Sequence, residues 1–181
     1  MGKVDLSTFT NIHFDHGAAR WKMVLWYLIN PILVRNPLVL SSRFKVSLLR
    51  RFGARIGKGV VLKQGILIKY PWKLEIGDHA WIGENVWIDN LDITHISSHC
   101  CISQGAMLLT GSHNYRVVSF DLITGPILLE EGVWIGAKAV VCPGVQCGKY
   151  SVLTVGSIAT ENLLENQIYQ GNPAVLKRSR F

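Results

Sequence analysis

Charge is scarce in this sequence. Of its 181 residues 17% are charged and 49% hydrophobic, which excludes a disordered chain and a coiled coil. Long apolar runs are missing too. The longest, Met23 to Val34, is broken by Asn30 and Pro31 and falls short of the ~18–20 residues a spanning helix needs. The opening MGKVDLSTF has no apolar stretch after its first basic residue, so no signal peptide is expected. Leu6 at the sixth position does not fit a myristoylation signal. The four cysteines, Cys100, Cys101, Cys142 and Cys147, form no CxxC pair. Neither a disulfide scaffold nor a cysteine zinc site is expected, and free thiols suit a reducing cytoplasm. The sequence has no P-loop, GxGxxG or GxSxG, so phosphoryl transfer, hydride transfer and elbow-serine hydrolysis have no motif.

What is present is a period of six. Ile56, Leu62 and Ile68 begin it; Ile76, Ile82, Ile88 and then Ile96, Ile102, Leu108 continue it. Leu129, Ile135, Val141, Cys147, Leu153 and Ala159 close it. The following residue is often small, as at Gly57, Gly77, Gly83 and Gly136. The residue four places on is small or β-branched, as at Val60, Ala80, Ala106, Ser112 and Val133. Helices repeat at 3.6 and half-buried strands at 2. A strict six fits a short strand and a corner, three of which close a coil of a parallel β-helix. Stacked coils lie ~4.8 Å apart. The small residue beside the aliphatic one is expected to let the chain bend.

The phase slips three times. Ile68 to Ile76 and Ile88 to Ile96 span eight residues, and Leu108 to Leu129 spans twenty-one. The last holds Ser112 to Pro126, a loop expected to leave the prism, and loops on rigid scaffolds often carry function. The expected organisation is a helical cap over 1–52, a β-helix over 53–163 with the loop 112–126, and a tail over 164–181.

The net charge of +7 is uneven. Residues 1–60 carry ten Lys/Arg and two Asp, and the remainder nine Lys/Arg and ten Asp/Glu. A nucleic-acid footprint or a membrane-facing segment would produce this bias. Ala18 to Asn30 places Trp21, Val24, Leu25 and Leu28 on one helical face, with Pro31 expected to end the helix. A second helix is expected from Ser41 or Ser42, with Phe44, Leu48 and Phe52 on its apolar side and Gly53 as its stop. These helices cap the open end of the first coil, or cap it and also touch an anionic membrane surface.

His113, in TGSHNY where the repeat breaks, is the leading candidate base, because an imidazole titrates near neutrality and can take a hydroxyl proton. His79 and His99 each fall three places after an aliphatic repeat residue and should stack. That leaves open corner residues or a zinc site. His13 and His16, in the irregular opening, take no role.

The segments YPWKLEIGDHAWIGENVWIDNL, ISQGAMLLTGSHNY, PILLEEGVWIGAKAVVCPGV and GNPAVLKR resemble the hexapeptide-repeat acyltransferases, in their colanic-acid-type exopolysaccharide O-acetyltransferase branch. The resemblance runs from about Gly53 to the C-terminus and implies a mainly β fold, a left-handed parallel β-helix with a short N-terminal helical cap. It implies acetyl transfer from acetyl-CoA to a sugar hydroxyl, no metal, and a cytoplasmic homotrimer with sites between subunits, peripheral to the membrane if the basic helices touch it. It implies no nucleic-acid partner. His113 maps to the catalytic base, and Asn90, with neighbouring Asp89, to a residue placing base and substrate. Trp134, Gly136, Ala137, Val155 and Gly156 map to backbone positions along the pantetheine arm. Thr160 falls in the turn that meets the nucleotide phosphates, but Glu161 stands where the family has a cation; Lys177, Arg178 or Arg180 would replace it. Two other readings stand beside this one. One is a zinc-dependent β-helix hydratase of the carbonic anhydrase type. The other is a non-enzymatic trimeric scaffold.

Overall fold

The structure, a computed structural model, describes residues 3–12 and 14–181. Strands of two or three residues stack in parallel into three walls. The first wall takes Arg55–Ile56, Leu74–Ile76, Thr94–Ile96, Ile127–Leu129 and Gln146–Cys147 in that order. The second takes Val61–Leu62, Trp81–Ile82, Cys101–Ile102, Trp134–Ile135 and Val152–Leu153, and ends in the antiparallel pair Gln167–Gly171 and Ala174–Ser179. The third takes Leu67–Ile68, Trp87–Asp89, Met107–Leu109, Val140–Val141 and Ile158–Ala159. The chain visits the walls in rotation, so the fold is the three-sided parallel β-helix that the period predicts.

All the in-phase aliphatic residues from Ile56 to Ala159 are buried. Equivalent positions pair across coils: Ile56 faces Ile76, Ile76 faces Ile96, and Ile96 faces Leu129. Each large one contributes roughly 1.5–3 kcal/mol by leaving water. The residues four places on are buried as well, with one correction. Ser112 is exposed, because the chain has already left the prism after Thr110.

The corners work differently from the sequence expectation. The glycine after the aliphatic residue serves close approach between coils: a Cβ on Gly136 would lie 2.6 Å from the Val155 nitrogen. The bend falls three residues after the aliphatic position, where His79, Asn85, His99, Lys138 and Tyr150 all adopt φ of 56–61°.

The three phase slips share one edge, between the third and first walls. Pro71–Lys73 forms a 3-10 turn there, residues 90–93 bulge there, and the hairpin Gly111–His113 with Leu122–Thr124 rises there.

Two helices close the first coil. Helix α1, Arg20–Leu33, continues through Pro31 rather than stopping at it. A proline in a last turn costs one hydrogen bond, and the Val34 N–H already returns to the Asn30 carbonyl. The face of α1 turned to the prism carries Trp26 and Asn30, whose Nε1 and Nδ2 donate to the Ile68 carbonyl at 3.0 and 3.2 Å. The expected apolar face of Trp21, Val24, Leu25 and Leu28 is exposed. Helix α2, Ser42–Arg51, starts at Ser41, whose Oγ accepts from the Phe44 N–H. It buries Lys45, Val46 and Leu49 in place of Phe44. The Lys45 Nζ donates to the Lys63 carbonyl at 2.6 Å, and burial pushes its pKa down. Among the described residues no helix is long and apolar enough to cross a membrane.

Candidate active site

The edge that collects the insertions also carries His113. In the hairpin, His113 faces Leu122 and Gly111 faces Thr124. Facing residues of an antiparallel pair project to the same side, so His113, Leu122 and Thr124 share one face. Leu122 and Thr124 line a recess of about 790 Å³, with Asp15, Lys73, Asp92 and Asp121 among its other walls.

The imidazole is held on three sides. Its Nδ1 lies 2.8 Å from the Phe120 carbonyl oxygen. A carbonyl only accepts, so Nδ1 carries a proton, and in the neutral ring the lone pair is on Nε2. The Phe120 ring stacks on it at 4.4 Å and 7°, and Phe9 leans against it at 5.6 Å. Phe120 adopts φ of 50°, a conformation that costs a non-glycine residue energy and is concentrated at functional sites. The Asp5 N–H donates to the Val118 carbonyl and ties the N-terminal segment to the same loop.

The recess is polar. The Lys73 Nζ donates to the Asp15 and Leu91 carbonyls at 2.7 and 2.6 Å. Burial lowers its pKa, opposed by the charges of Asp15 and Asp92. Carboxylates around such a space suit a ligand rich in hydroxyl donors.

Asn90 lies beside this site and is fully buried. Its Oδ1 accepts from the Tyr70 N–H at 2.9 Å and its Nδ2 donates to the Tyr70 carbonyl at 2.6 Å. Both ends of the amide are therefore committed to holding the preceding coil. Asp89 is half-buried and pairs with the Lys69 Nζ at 3.0 Å.

The residues expected along the cofactor gather elsewhere. Gly136, Ala137, Val155 and Gly156 stack on the edge between the second and third walls, where the Gly156 N–H donates to the Ala137 carbonyl. Trp134 is exposed on the second wall, its Nε1 donating to Ser103 Oγ at 3.0 Å. Lys177 and Arg178 are exposed on the last strand, which extends the same wall. Arg180 is engaged with the Gly132 and Tyr150 carbonyls. Thr160 follows the last strand of the third wall, on the edge that carries the hairpin further along the prism. One chain thus separates His113 from the second-to-third edge by the width of the third wall.

His79 and His99 stack at 5.4 Å and 15°. Among the described residues no three His, Cys, Asp or Glu side chains are placed to hold a metal ion. His16 bonds the Tyr70 hydroxyl at 3.0 Å, and His13 lies outside the described residues. Sequence reasoning missed the Phe120 carbonyl, Phe9 and the recess carboxylates. The one available signal was that every phase slip follows a third-wall residue: Ile68, Ile88 or Leu108.

No family model matches the chain. It is 38% identical over 177 residues, 97% of each chain, to the colanic acid biosynthesis acetyltransferase WcaF of Escherichia coli. It is 31% identical over 122 residues to the galactoside O-acetyltransferase of Lactococcus lactis, covering 67% of this chain and 51% of that protein. Among solved structures it superposes with a TM-score of 0.79 on the hexapeptide-repeat acetyltransferase VCA0836 of Vibrio cholerae complexed with acetyl coenzyme A, at 25% identity over 93% of each chain. A galactoside acetyltransferase in complex with coenzyme A superposes with a TM-score of 0.79 at 21% identity, covering 89% of this chain and 82% of that one, which speaks to the fold alone. The chain belongs to the hexapeptide-repeat acetyltransferases, in the branch that contains the colanic acid biosynthesis acetyltransferase.

Proposed function

We propose that the protein transfers the acetyl group of acetyl-CoA to a hydroxyl of a sugar acceptor in exopolysaccharide biosynthesis. The observation that carries this reading is His113, its Nδ1 proton held by the Phe120 carbonyl, on the hairpin face whose Leu122 and Thr124 line a carboxylate-bearing recess. The kinship with WcaF supplies the reaction class and the exopolysaccharide setting, and the likeness to the acetyl-CoA complex of VCA0836 supplies the donor.

The acceptor sugar sits in the recess. The Nε2 of His113 takes the proton of its hydroxyl as the oxygen attacks the thioester carbonyl carbon. The tetrahedral intermediate collapses, the C–S bond breaks, and the CoA sulfur leaves. His113 returns the proton to that sulfur. An acetyl ester and free CoA are formed.

The pantetheine arm lies along Gly136, Ala137, Val155 and Gly156 of one protomer, and the base comes from its neighbour in a homotrimer. The wall chemistry supports this assembly. The second and third walls turn Trp81, Trp134, Trp87 and Met107 outward, whereas the first turns out Arg55, Glu75, His95 and Gln146, with the half-buried Leu128 between the last two. Apolar outer faces suit subunit contacts. The enzyme works in the cytoplasm, with its basic N-terminal segment against the anionic membrane surface.

The test is release of free CoA thiol from acetyl-CoA across a panel of sugar acceptors. Acceptor-dependent thiol release is expected. Its absence with every hexose, deoxyhexose and uronic acid acceptor would contradict the reading.

A further inference from the structure

No residue between Gly111 and Pro126 is buried. The hairpin that carries His113 therefore stands outside the prism, without a core of its own. The bond from Nδ1 to the Phe120 carbonyl fixes one atom of the imidazole. Hydrogen-bond directions at a carbonyl oxygen are broad, and so is the χ2 torsion of histidine. That bond alone leaves the ring plane loosely set. A base must aim its Nε2 at the reacting hydroxyl, so the plane has to be fixed as well.

Phe120 supplies one flat contact, stacked at 4.4 Å. It belongs to the same loop and holds a left-handed φ of 50°, so the loop needs a hold from outside.

That hold comes from the N-terminal segment. Asp5 caps the 3-10 turn Leu6–Thr8: its Oδ1 accepts from the Ser7 N–H at 3.0 Å, and the Phe9 N–H closes the turn on the Leu6 carbonyl. The Asp5 N–H donates to the Val118 carbonyl at 2.9 Å and pins the turn to the loop. The turn ends in Phe9, whose ring meets the His113 ring at 5.6 Å and 59°, a tilted aromatic contact of the attractive kind. At its other end the segment is tied to the Pro71–Lys73 turn. There the Trp72 Nε1 and the Lys73 Nζ donate to the His16 and Asp15 carbonyls, both at 2.7 Å. Phe9 is half-buried and lies outside the prism core, so the stacking of the coils does not call for an aromatic ring at this position.

We propose that Phe9 is a positioning residue for acetyl transfer: its ring fixes the plane of the His113 imidazole, so that Nδ1 stays on the Phe120 carbonyl and Nε2 points at the acceptor hydroxyl. The N-terminal segment is then a working part of the active site as well as part of the cap. The catalytic half of this statement rests on the acetyl-transfer reading; the placing of the ring stands on the contacts alone.

The first test needs no acceptor. It reads the His113 ring by nitrogen NMR of the full chain labelled at histidine, with the imidazole neutral and the signal assigned by its loss in His113→Ala. The wild type should show the proton on Nδ1. Phe9→Ala should bring in the tautomer protonated on Nε2, while the thermal midpoint stays near the wild-type value. The second test is kinetic, on an acceptor that supports thiol release. Phe9→Ala should lower kcat roughly 10–100-fold and leave KM for both substrates near the wild-type values. Phe9→Leu keeps apolar bulk against the ring and should recover most of kcat. Leu6→Ala, in the same turn but 65% exposed, should match the wild type in both tests.

An unchanged tautomer signal in Phe9→Ala would overturn the proposal, and so would wild-type kcat. A raised acceptor KM with unchanged kcat would overturn it too, since Phe9 would then shape the recess and not the base. Equal losses in Leu6→Ala would put the effect on the segment as a whole and overturn it likewise. Full kcat in His113→Ala marks failure of the base assignment; full kcat in Phe9→Ala alone marks failure of this proposal.

Discussion

Asn90 and His113 are both polar residues of the insertion edge, and their environments give them different tasks. Asn90 is sealed, with each amide atom bonded to the Tyr70 backbone. Its replacement by alanine strands a buried N–H and a buried carbonyl, each worth roughly 1–3 kcal/mol. Asn90→Ala should therefore lose about 2–4 kcal/mol of stability, visible as a fall in the thermal midpoint, and any loss of kcat should follow the loss of fold. A wild-type midpoint would show that the Tyr70 bonds matter little. The cysteines divide similarly. Burial pushes the Cys100 thiol up to about 11 and the Cys147 thiol up to about 12. A raised thiol pKa leaves little thiolate at pH 8. Iodoacetamide on the native protein should modify the half-buried Cys142 first, and reach Cys100 and Cys147 only after unfolding. Native labelling of Cys147, read by mass spectrometry, would contradict its placement inside the prism.

At the scale of the coil, two kinds of glycine do different work. Gly136 allows neighbouring turns to touch: its Cβ would meet the Val155 nitrogen at 2.6 Å and the Thr154 carbonyl carbon at 2.7 Å. Gly156 has open space around it but φ of 66°, and His79, Lys138 and Tyr150 tolerate the same corner. Gly136→Ala should cost about 3 kcal/mol, because backbone cannot yield. Gly156→Ala should cost about 1 kcal/mol. Urea unfolding of both variants checks the order, and a reversed order would refute the close-approach argument. These elements also show what the sequence made legible. The aliphatic ladder from Ile56 to Ala159 could be read because a buried aliphatic residue at every sixth position is a one-dimensional signal. His113 could be found because the ladder breaks there. The outward face of α1 could not be read, since an apolar stripe looks the same whether it meets the prism or a partner. The recess was hidden for another reason: Asp15 before α1, Asp92 in a coil and Asp121 in the hairpin loop meet only in the folded chain.

For the whole molecule, the proposed trimer rests on the asymmetry of the walls. Trp81 and Trp134 flank Cys101 on the second wall, each of the two 47% exposed. Such surface is costly in water and rarely left open on a monomer. Light scattering at micromolar concentration should return three times the 20.2 kDa chain mass. The double variant Trp81→Glu, Trp134→Glu should shift this toward the monomer and lose activity, since base and cofactor edge then no longer meet. A monomeric wild type with full activity would remove the shared site. The assembly matters only if His113 is the base, and this is the claim most directly open to measurement. Removal of a general base costs on the order of 10²–10⁴ in rate. The decisive comparison is kcat for His113→Ala and wild type on one acceptor, with acetyl-CoA binding and oligomeric mass measured on the same preparations. The account predicts a kcat lower by about 10²–10⁴ with binding and mass unchanged; a His113→Ala enzyme with wild-type kcat would contradict it.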